Sequence, residues 1–208
     1  MTYLLRLVPS LRVWAVLCLL PLLSSCYIPD QFRAEIRIAR NGDYSMTYDG
    51  VLTWVKLYMD LREGKLSGDA AQDRIEIIRR DLKRDTQFTN IRSLGNGQFD
   101  VKYRRTGSLS SGTGLITFVR RNARILEIDS RPNGKVTVKA STPNIDKARY
   151  LAQAGLLVRG SLRVMTNLRL IGNHNATAVY QDPNSDWTVY DWIIDGKKPV
   201  YPFIQFRR

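Results

Sequence analysis

Apolar and polar residues alternate along the early part of the chain. Ala34, Ile36 and Ile38 fall on one side of an extended strand, and Arg33, Glu35 and Arg37 on the other. Asn41-Gly42 follows, the strongest short hairpin signal, and Tyr44, Met46 and Tyr48 resume the alternation. The unit recurs. Asn96-Gly97 precedes Phe99, Val101 and Tyr103, and Asn133-Gly134 separates Leu126 and Ile128 from Val136 and Val138. Asp195-Gly196 separates Tyr190 and Trp192 from Tyr201 and Phe203. Period-two runs joined by such turns predict an antiparallel sheet.

Two segments change period. From Asp69 to about Asp85, residues Ala71, Ile75, Ile78 and Leu82 recur at helical spacing and form one apolar stripe. Asp69 and Gln72 resemble a capping box at its start. A second helix is predicted to open at Thr142-Pro143 and to stop near Gly155. Val51 to Leu61 fits either an extension of the second strand or the start of a helix. Gly107 to Gly114 reads as a loop inside one domain. The expected fold class is α+β: an antiparallel sheet of several hairpins with about two helices packed on one face, spanning residues 32–208.

Residues 1–25 read as a leader. Arg6 and Arg12 provide positive charge, and Val13 to Leu23 form an apolar run interrupted only by Pro21. A spanning helix needs about 20 apolar residues, so this run is too short for one. It ends in Leu23-Ser24-Ser25-Cys26, which resembles the lipobox of bacterial lipoproteins. That resemblance implies a diacylglycerol on the Cys26 thiol, cleavage before Cys26, and acylation, typically with palmitate, of the new amine. Tyr27 rather than Asp follows the cysteine. In a Gram-negative envelope this implies transfer to the outer membrane, with the domain facing the periplasm. Residues 26–31 are then the acylated cysteine and a short tether. Five extended residues reach less than about 18 Å, which would hold the domain close to the bilayer.

Composition narrows the chemistry. The 208 residues hold 32 Lys+Arg against 19 Asp+Glu, a formal +13, and 44% are hydrophobic, ordinary for a globular chain with a real core. Removing Arg6 and Arg12 with the leader leaves 30 basic residues against 19 acidic, a formal +11. Nucleic acid is the usual partner of such a balance, but export to a membrane surface excludes it. Anionic lipid, lipopolysaccharide and cell-wall polymers are the polyanions left. The basic residues cluster as Arg79, Arg80, Lys83 and Arg84; Arg104 and Arg105; Arg120, Arg121 and Arg124; and Arg207 and Arg208. The first cluster is a candidate anionic-surface contact. It also fits a solvated helix face, since Glu76 and Asp81 are in reach for local pairing.

Catalytic chemistry finds little support. Losing Cys18 and acylating Cys26 would leave no thiol for catalysis, zinc or haem attachment. His174, the one histidine, sits in Gly172-Asn173-His174-Asn175 and reads as a solvated turn residue. Gly112-Thr113-Gly114 lacks the Lys-Ser/Thr of a P-loop, and no Gly-x-Ser-x-Gly or His-Glu-x-x-His occurs. Nothing in their positions couples Asp49 with Asp60 or Asp191 with Asp195. No enzyme activity, metal or cofactor is expected.

The C-terminal aromatics suggest a different site. A two-residue hairpin at Asp195-Gly196 would set Trp192 opposite Pro199, Tyr190 opposite Tyr201 and Thr188 opposite Phe203. Tyr190, Trp192, Tyr201 and Phe203 would then share one side of two strands. Such a stripe is usually core, and otherwise lines a ligand cavity. Pro199 and Pro202 point to an edge strand. The chain ends in Arg207-Arg208 and its strands lack an outward apolar band, which argues against an outer-membrane barrel.

The order of parts is similar to LppM-type lipoproteins: lipobox, strand–Asn-Gly–strand, helix, further hairpins, then a late segment. That segment reads Gly160-Ser161-Leu162-Arg163-Val164-Met165-Thr166-Asn167, followed by Gly172-Asn173-His174-Asn175-Ala176 and a Trp/Tyr strand. Gln181 to Asp186 are extra residues in this chain. The resemblance implies an envelope domain without catalysis that handles lipid. Cys26 is the one residue whose role it carries over. The expected function is a membrane-anchored lipoprotein binding lipid, glycolipid or another anionic envelope component. The alternative is a structural or assembly lipoprotein docking on another envelope protein.

Overall fold

The computed structural model describes residues 27–109, 114–120, 123–196 and 200–208, with the backbone alone for Arg120 and Ala123. The leader, Cys26, Arg121 and Pro199 lie outside the described residues.

The chain opens with two twelve-residue strands, β1 (Tyr27–Ile38) and β2 (Asp43–Trp54), joined at Asn41-Gly42 as their alternation predicts. Tyr27 already pairs with Trp54, so the residues expected as a tether are the start of β1. Ile28, buried at 4% exposure, draws them into the fold. The ambiguous segment resolves into both readings. β2 runs to Trp54 and helix α1 (Val55–Arg62) starts at the next residue.

Helix α2 (Gly68–Lys83) buries Ala71, Ile75, Ile78 and Leu82, the stripe read from the sequence. Its N-cap is Ser67, with no side-chain capping bond, so Asp69 lies inside the first turn. Then follow β3 (Phe88–Gly95), β4 (Gln98–Ser108), β5 (Gly114–Arg120), β6 (Ala123–Ser130) and β7 (Lys135–Ala140). Helix α3 (Ile145–Gln153) is capped by Asn144, whose side chain accepts from the Lys147 N–H at 2.9 Å. The chain closes with β8 (Gly160–Thr166), β9 (Arg169–Leu170), β10 (Ala178–Gln181), β11 (Thr188–Ile194) and β12 (Phe203–Arg207).

The fold is rich in sheet with few helices, but the single antiparallel sheet expected from the sequence is not what forms. Seven strands make one sheet in the order β10-β11-β8-β1-β2-β4-β3, and five make a second in the order β5-β6-β7-β12-β9. The larger sheet is mixed, because β8 runs parallel to β1 from Phe32↔Gly160 to Ile38↔Thr166. A parallel neighbour needs a long crossover, and here β2 to α3 provide it.

The hairpin expected at Asp195-Gly196 does not form. β11 pairs with β8 and β10, while β12 pairs with β7 and β9 in the other sheet. The reason is parity. A hairpin that turned Tyr201 and Phe203 inward would turn Ile204 and Phe206 outward. Ile204 and Phe206 are instead fully buried, and Tyr201 and Phe203 are 47% and 39% exposed. The inner residues of both sheets, with Leu57 of α1 and Ile75, Ile78 and Leu82 of α2, form one core. Phe118 of β5 meets Tyr48 and Tyr103 at ring separations of 4.5 and 4.7 Å, and Phe206 meets Tyr190 at 5.6 Å. These ring contacts lock the sheets face to face. Among the described residues no helix is long and apolar enough to cross a membrane.

Candidate functional site

A bulge in β1 bends the larger sheet at Phe32. The β1–β2 register breaks between Asp30 and Arg33, and Gln31 adopts a left-handed φ of 47°. On either side of Phe32 lies a glycine, Gly50 on β2 and Gly160 on β8. A Cβ at Gly50 would stand 2.5 Å from the Phe32 Cα, and one at Gly160 would stand 2.4 Å from the Phe32 carbonyl oxygen. No side chain fits there, so both positions require glycine for close backbone approach.

The bend hollows the outer face of the sheet. Two adjoining cavities of about 690 Å³ each open there, and Arg33, Asp49 and Ser161 line both. Strand register explains the lining. One row across the sheet reads Ile193–Ser161–Arg33–Asp49–Lys102, and the next reads Asp191–Arg163–Glu35–Thr47–Arg104. Residues in a row stand about 5 Å apart on one face, so these side chains are direct neighbours.

Most of the charges in the hollow are answered. Arg163 donates through Nε and Nη2 to both oxygens of Asp191 at 2.8 and 2.9 Å. Arg159 grips Asp30 in the same way, both contacts at 3.0 Å. Each forked bond holds its arginine further into the charged form. Arg37 bonds Glu35 at 2.6 Å. Lys102 stands 3.4 Å from Asp49, a looser contact with both side chains 58% exposed. Arg33 has no ion-pair or hydrogen-bond partner for its guanidinium among the described residues. The arrangement can bind and orient an anionic group.

Of the site residues expected from the sequence, Trp192 borders one cavity of the hollow from within the core, and Tyr190, Tyr201, Phe203 and the α2 cluster line neither. Tyr190 and Trp192 are sealed in the core, whereas Tyr201 and Phe203 lie exposed beside the other sheet, so the four share no surface. Asn175 links the two pairs. Its side chain accepts from Trp192 Nε1 at 2.8 Å and from the Phe203 N–H at 3.0 Å, and donates to the Tyr201 carbonyl at 2.7 Å. A cavity of about 20 Å³ beneath α3, lined by Leu151, Ile194 and Val200, has room for roughly one water molecule.

On α2, Arg79 forks onto Glu76 at 2.7 Å and Arg84 lies 3.5 Å from Asp81, while Arg80 and Lys83 are exposed. Half of that basic cluster is therefore paired within its own helix. His174 is exposed, and its Nδ1 accepts from the Ala176 N–H at 3.2 Å. Asp60 is tied to Lys56 on α1 at 2.6 Å, far in role from Asp49 on the sheet. Among the described residues no three His, Cys, Asp or Glu side chains gather to hold a metal ion.

Sequence reading placed Arg33 on the outward parity of β1 but not its neighbours. Ser161 and Arg163 reach it through the parallel β8 pairing, for which no local signal exists. Searches for similar proteins gave no match to any family model and none to any curated protein.

Proposed function

We propose that this chain is a lipid-anchored, non-catalytic domain of the bacterial envelope. Acylated Cys26 holds it to the membrane, in the periplasm at the outer membrane, where it binds an anionic envelope component. The observation that carries this reading is the pairing of Tyr27, the residue after the lipobox cysteine, with Trp54 across β1 and β2. With the sheet already paired at Tyr27, no stalk would separate it from an acylated Cys26, and the strand would rise directly from the lipid. Three acyl chains, at about 0.8 kcal/mol per buried CH₂, would make such an anchor effectively permanent. The unpaired Arg33 in an open hollow supports the anionic partner. The reading agrees with what the LppM-like order of parts implies.

The test is intact-mass and peptide mass spectrometry of the full chain expressed in a Gram-negative host, beside Cys26→Ser. The expected product begins at Cys26 and carries diacylglycerol and an amide-linked acyl chain. The serine variant keeps the leader or is cut elsewhere. An unmodified Cys26 in a folded, exported protein would sink the reading.

A second reading, docking on another envelope protein, has its own support at β10. This edge strand is regular, uncharged and free of proline, and all four of its residues are exposed. The opposite edge, β3, carries two register breaks that blunt it. An unblunted edge is a template for strand addition. Photo-crosslinking from position 180 in living cells would give an adduct with one defined envelope protein. No discrete adduct would remove this reading.

A further inference from the structure

We infer that the hollow at the Phe32 bend is a phosphate-binding site, with Arg33 as its central donor and a phosphate ester as its ligand. The inference deepens the anionic-partner reading above and rests on it only for the ligand's source.

Four observations converge on Arg33. It lines both cavities of the hollow, as Arg104, the other unanswered arginine of its two rows, does not. Its guanidinium is exposed and has no ionic partner among the described residues. The planar fork of an arginine matches two oxygens of a phosphate, a geometry a lysine cannot offer. Its cross-strand neighbour Ser161 adds a hydroxyl in the same row.

The flanking cations are already oriented. Arg159 and Arg163 each commit Nε and Nη2 to a carboxylate, which fixes the guanidinium plane and leaves Nη1 free to donate. Arg159 lines one cavity and Arg163 the other. Lys102, held by Asp49 only at 3.4 Å, can turn toward a bound anion. An anion entering the hollow would meet Arg33 with preset donors before and after Ser161 on the β8 side, and Asp49, paired to Lys102, on the β2 side. Little side-chain freedom would be lost on binding. Ile193, 62% exposed at the end of the Arg33 row, gives the site an apolar rim for the carbon part of an ester.

The position suits a membrane source. Arg33 lies seven residues from Cys26, on the strand that would begin at the anchor. A lipid headgroup and a soluble phosphate ester offer the same chemistry, and the test separates them. The full chain in non-ionic detergent is titrated by calorimetry with glycerol 3-phosphate, with dihexanoyl phosphatidylglycerol, and with dihexanoyl phosphatidylcholine as control. The same titrations are run on Arg33→Gln, Arg33→Lys and, on α2, Arg80→Gln.

Losing a charged donor to phosphate should weaken binding roughly tenfold or more in Arg33→Gln, with Arg33→Lys between it and the unmutated protein. Arg80→Gln should bind like the unmutated protein. Tighter binding of phosphatidylglycerol than of glycerol 3-phosphate identifies a lipid ligand, and equal binding identifies a soluble ester. The inference is overturned if neither phosphate probe binds, if Arg33→Gln binds as well as the unmutated protein, or if Arg80→Gln loses as much as Arg33→Gln. Matching thermal unfolding of the variants shows that the exposed substitution leaves the fold intact. Acylation of Cys26, read by mass, stands or falls separately.

Discussion

Along β1, β2, β8 and β11, adjacent residues meet opposite surroundings. Ile36, Met46, Val164 and Trp192 are fully buried against the second sheet. Glu35, Thr47, Arg163 and Asp191, one step away on the same strands, form a row on the outer face. The inner face is apolar and sealed, so its side chains carry stability. The outer face keeps a hollow lined by both signs of charge, with one arginine left unanswered. The two faces share a backbone but can be altered separately, because side-chain direction alternates with each residue.

The largest effect should come from emptying the inner face. Trp192→Ala removes the bulkiest fully buried side chain and one of the two hydrogen bonds to the Asn175 oxygen, which keeps the one from the Phe203 N–H. We expect a loss of about 3–5 kcal/mol in urea-induced unfolding, toward the upper end of large-to-small core changes. A loss under about 1 kcal/mol would mean that the two sheets do not close on Trp192.

The bend couples the faces, so a substitution there should disturb both. Gly50→Ala puts a methyl 2.5 Å from the Phe32 Cα and 2.9 Å from the Gln31 carbonyl oxygen. Backbone must move, at a cost of about 1–3 kcal/mol. The hollow should flatten and phosphate binding should weaken in the same variant. Unchanged stability would show that the sheet does not need its close approach at Phe32.

The inner face also predicts a response to alkali. Burial pushes the Tyr103 phenol up to about 12, with the Asp85 carboxylate adding to the effect and Arg105 opposing it. Tyr48 is also raised, first by burial and then by Asp30 and Asp49. An unfolded tyrosine ionises near pH 10. The contribution of each neutral phenol is therefore intact below about pH 10 and is lost at higher pH, for Tyr103 as pH rises toward 12. The slope from Tyr103 is at most about 1.4 kcal/mol per pH unit. Unfolding free energies measured between pH 8 and 11 should fall at the alkaline end, and Tyr103→Phe should reduce that fall.

The sequence disclosed much of this parity but little of the pairing. The α2 stripe and the Asn41-Gly42, Asn96-Gly97 and Asn133-Gly134 turns are local signals, and the structure uses them all. Alternation shows that Arg33 faces away from Ala34, whatever lies beside it. It does not show that β8 lies beside it in parallel, because that choice is made by contacts between Leu162, Val164 and the rest of the core. Asp195-Gly196 misled for the same reason. A turn dipeptide permits a hairpin, but Leu162 beside Trp192 and Val138 beside Ile204 draw the two strands into separate sheets. The hollow was invisible for a further reason. Gly50 and Gly160 look like ordinary strand glycines until Phe32 comes between them.

The smallest effect tests the outer face alone. Asp191→Asn lies one residue from Trp192 and removes one charge of the Arg163 fork, whose side chains are 44% and 23% exposed. Solvent screens such a pair, and exposed ion pairs contribute about 0.2–1 kcal/mol. We therefore expect a stability loss under about 1 kcal/mol, several-fold below that of Trp192→Ala. The variant should still bind a phosphate ester, because Arg33 keeps its donors and Arg163, freed from its carboxylate, keeps its charge. A loss as large as that of the tryptophan variant would mean that the outer row helps to hold the sheet together. The ion pairs beside Arg33 would then be structural first, and the hollow a by-product of the bend.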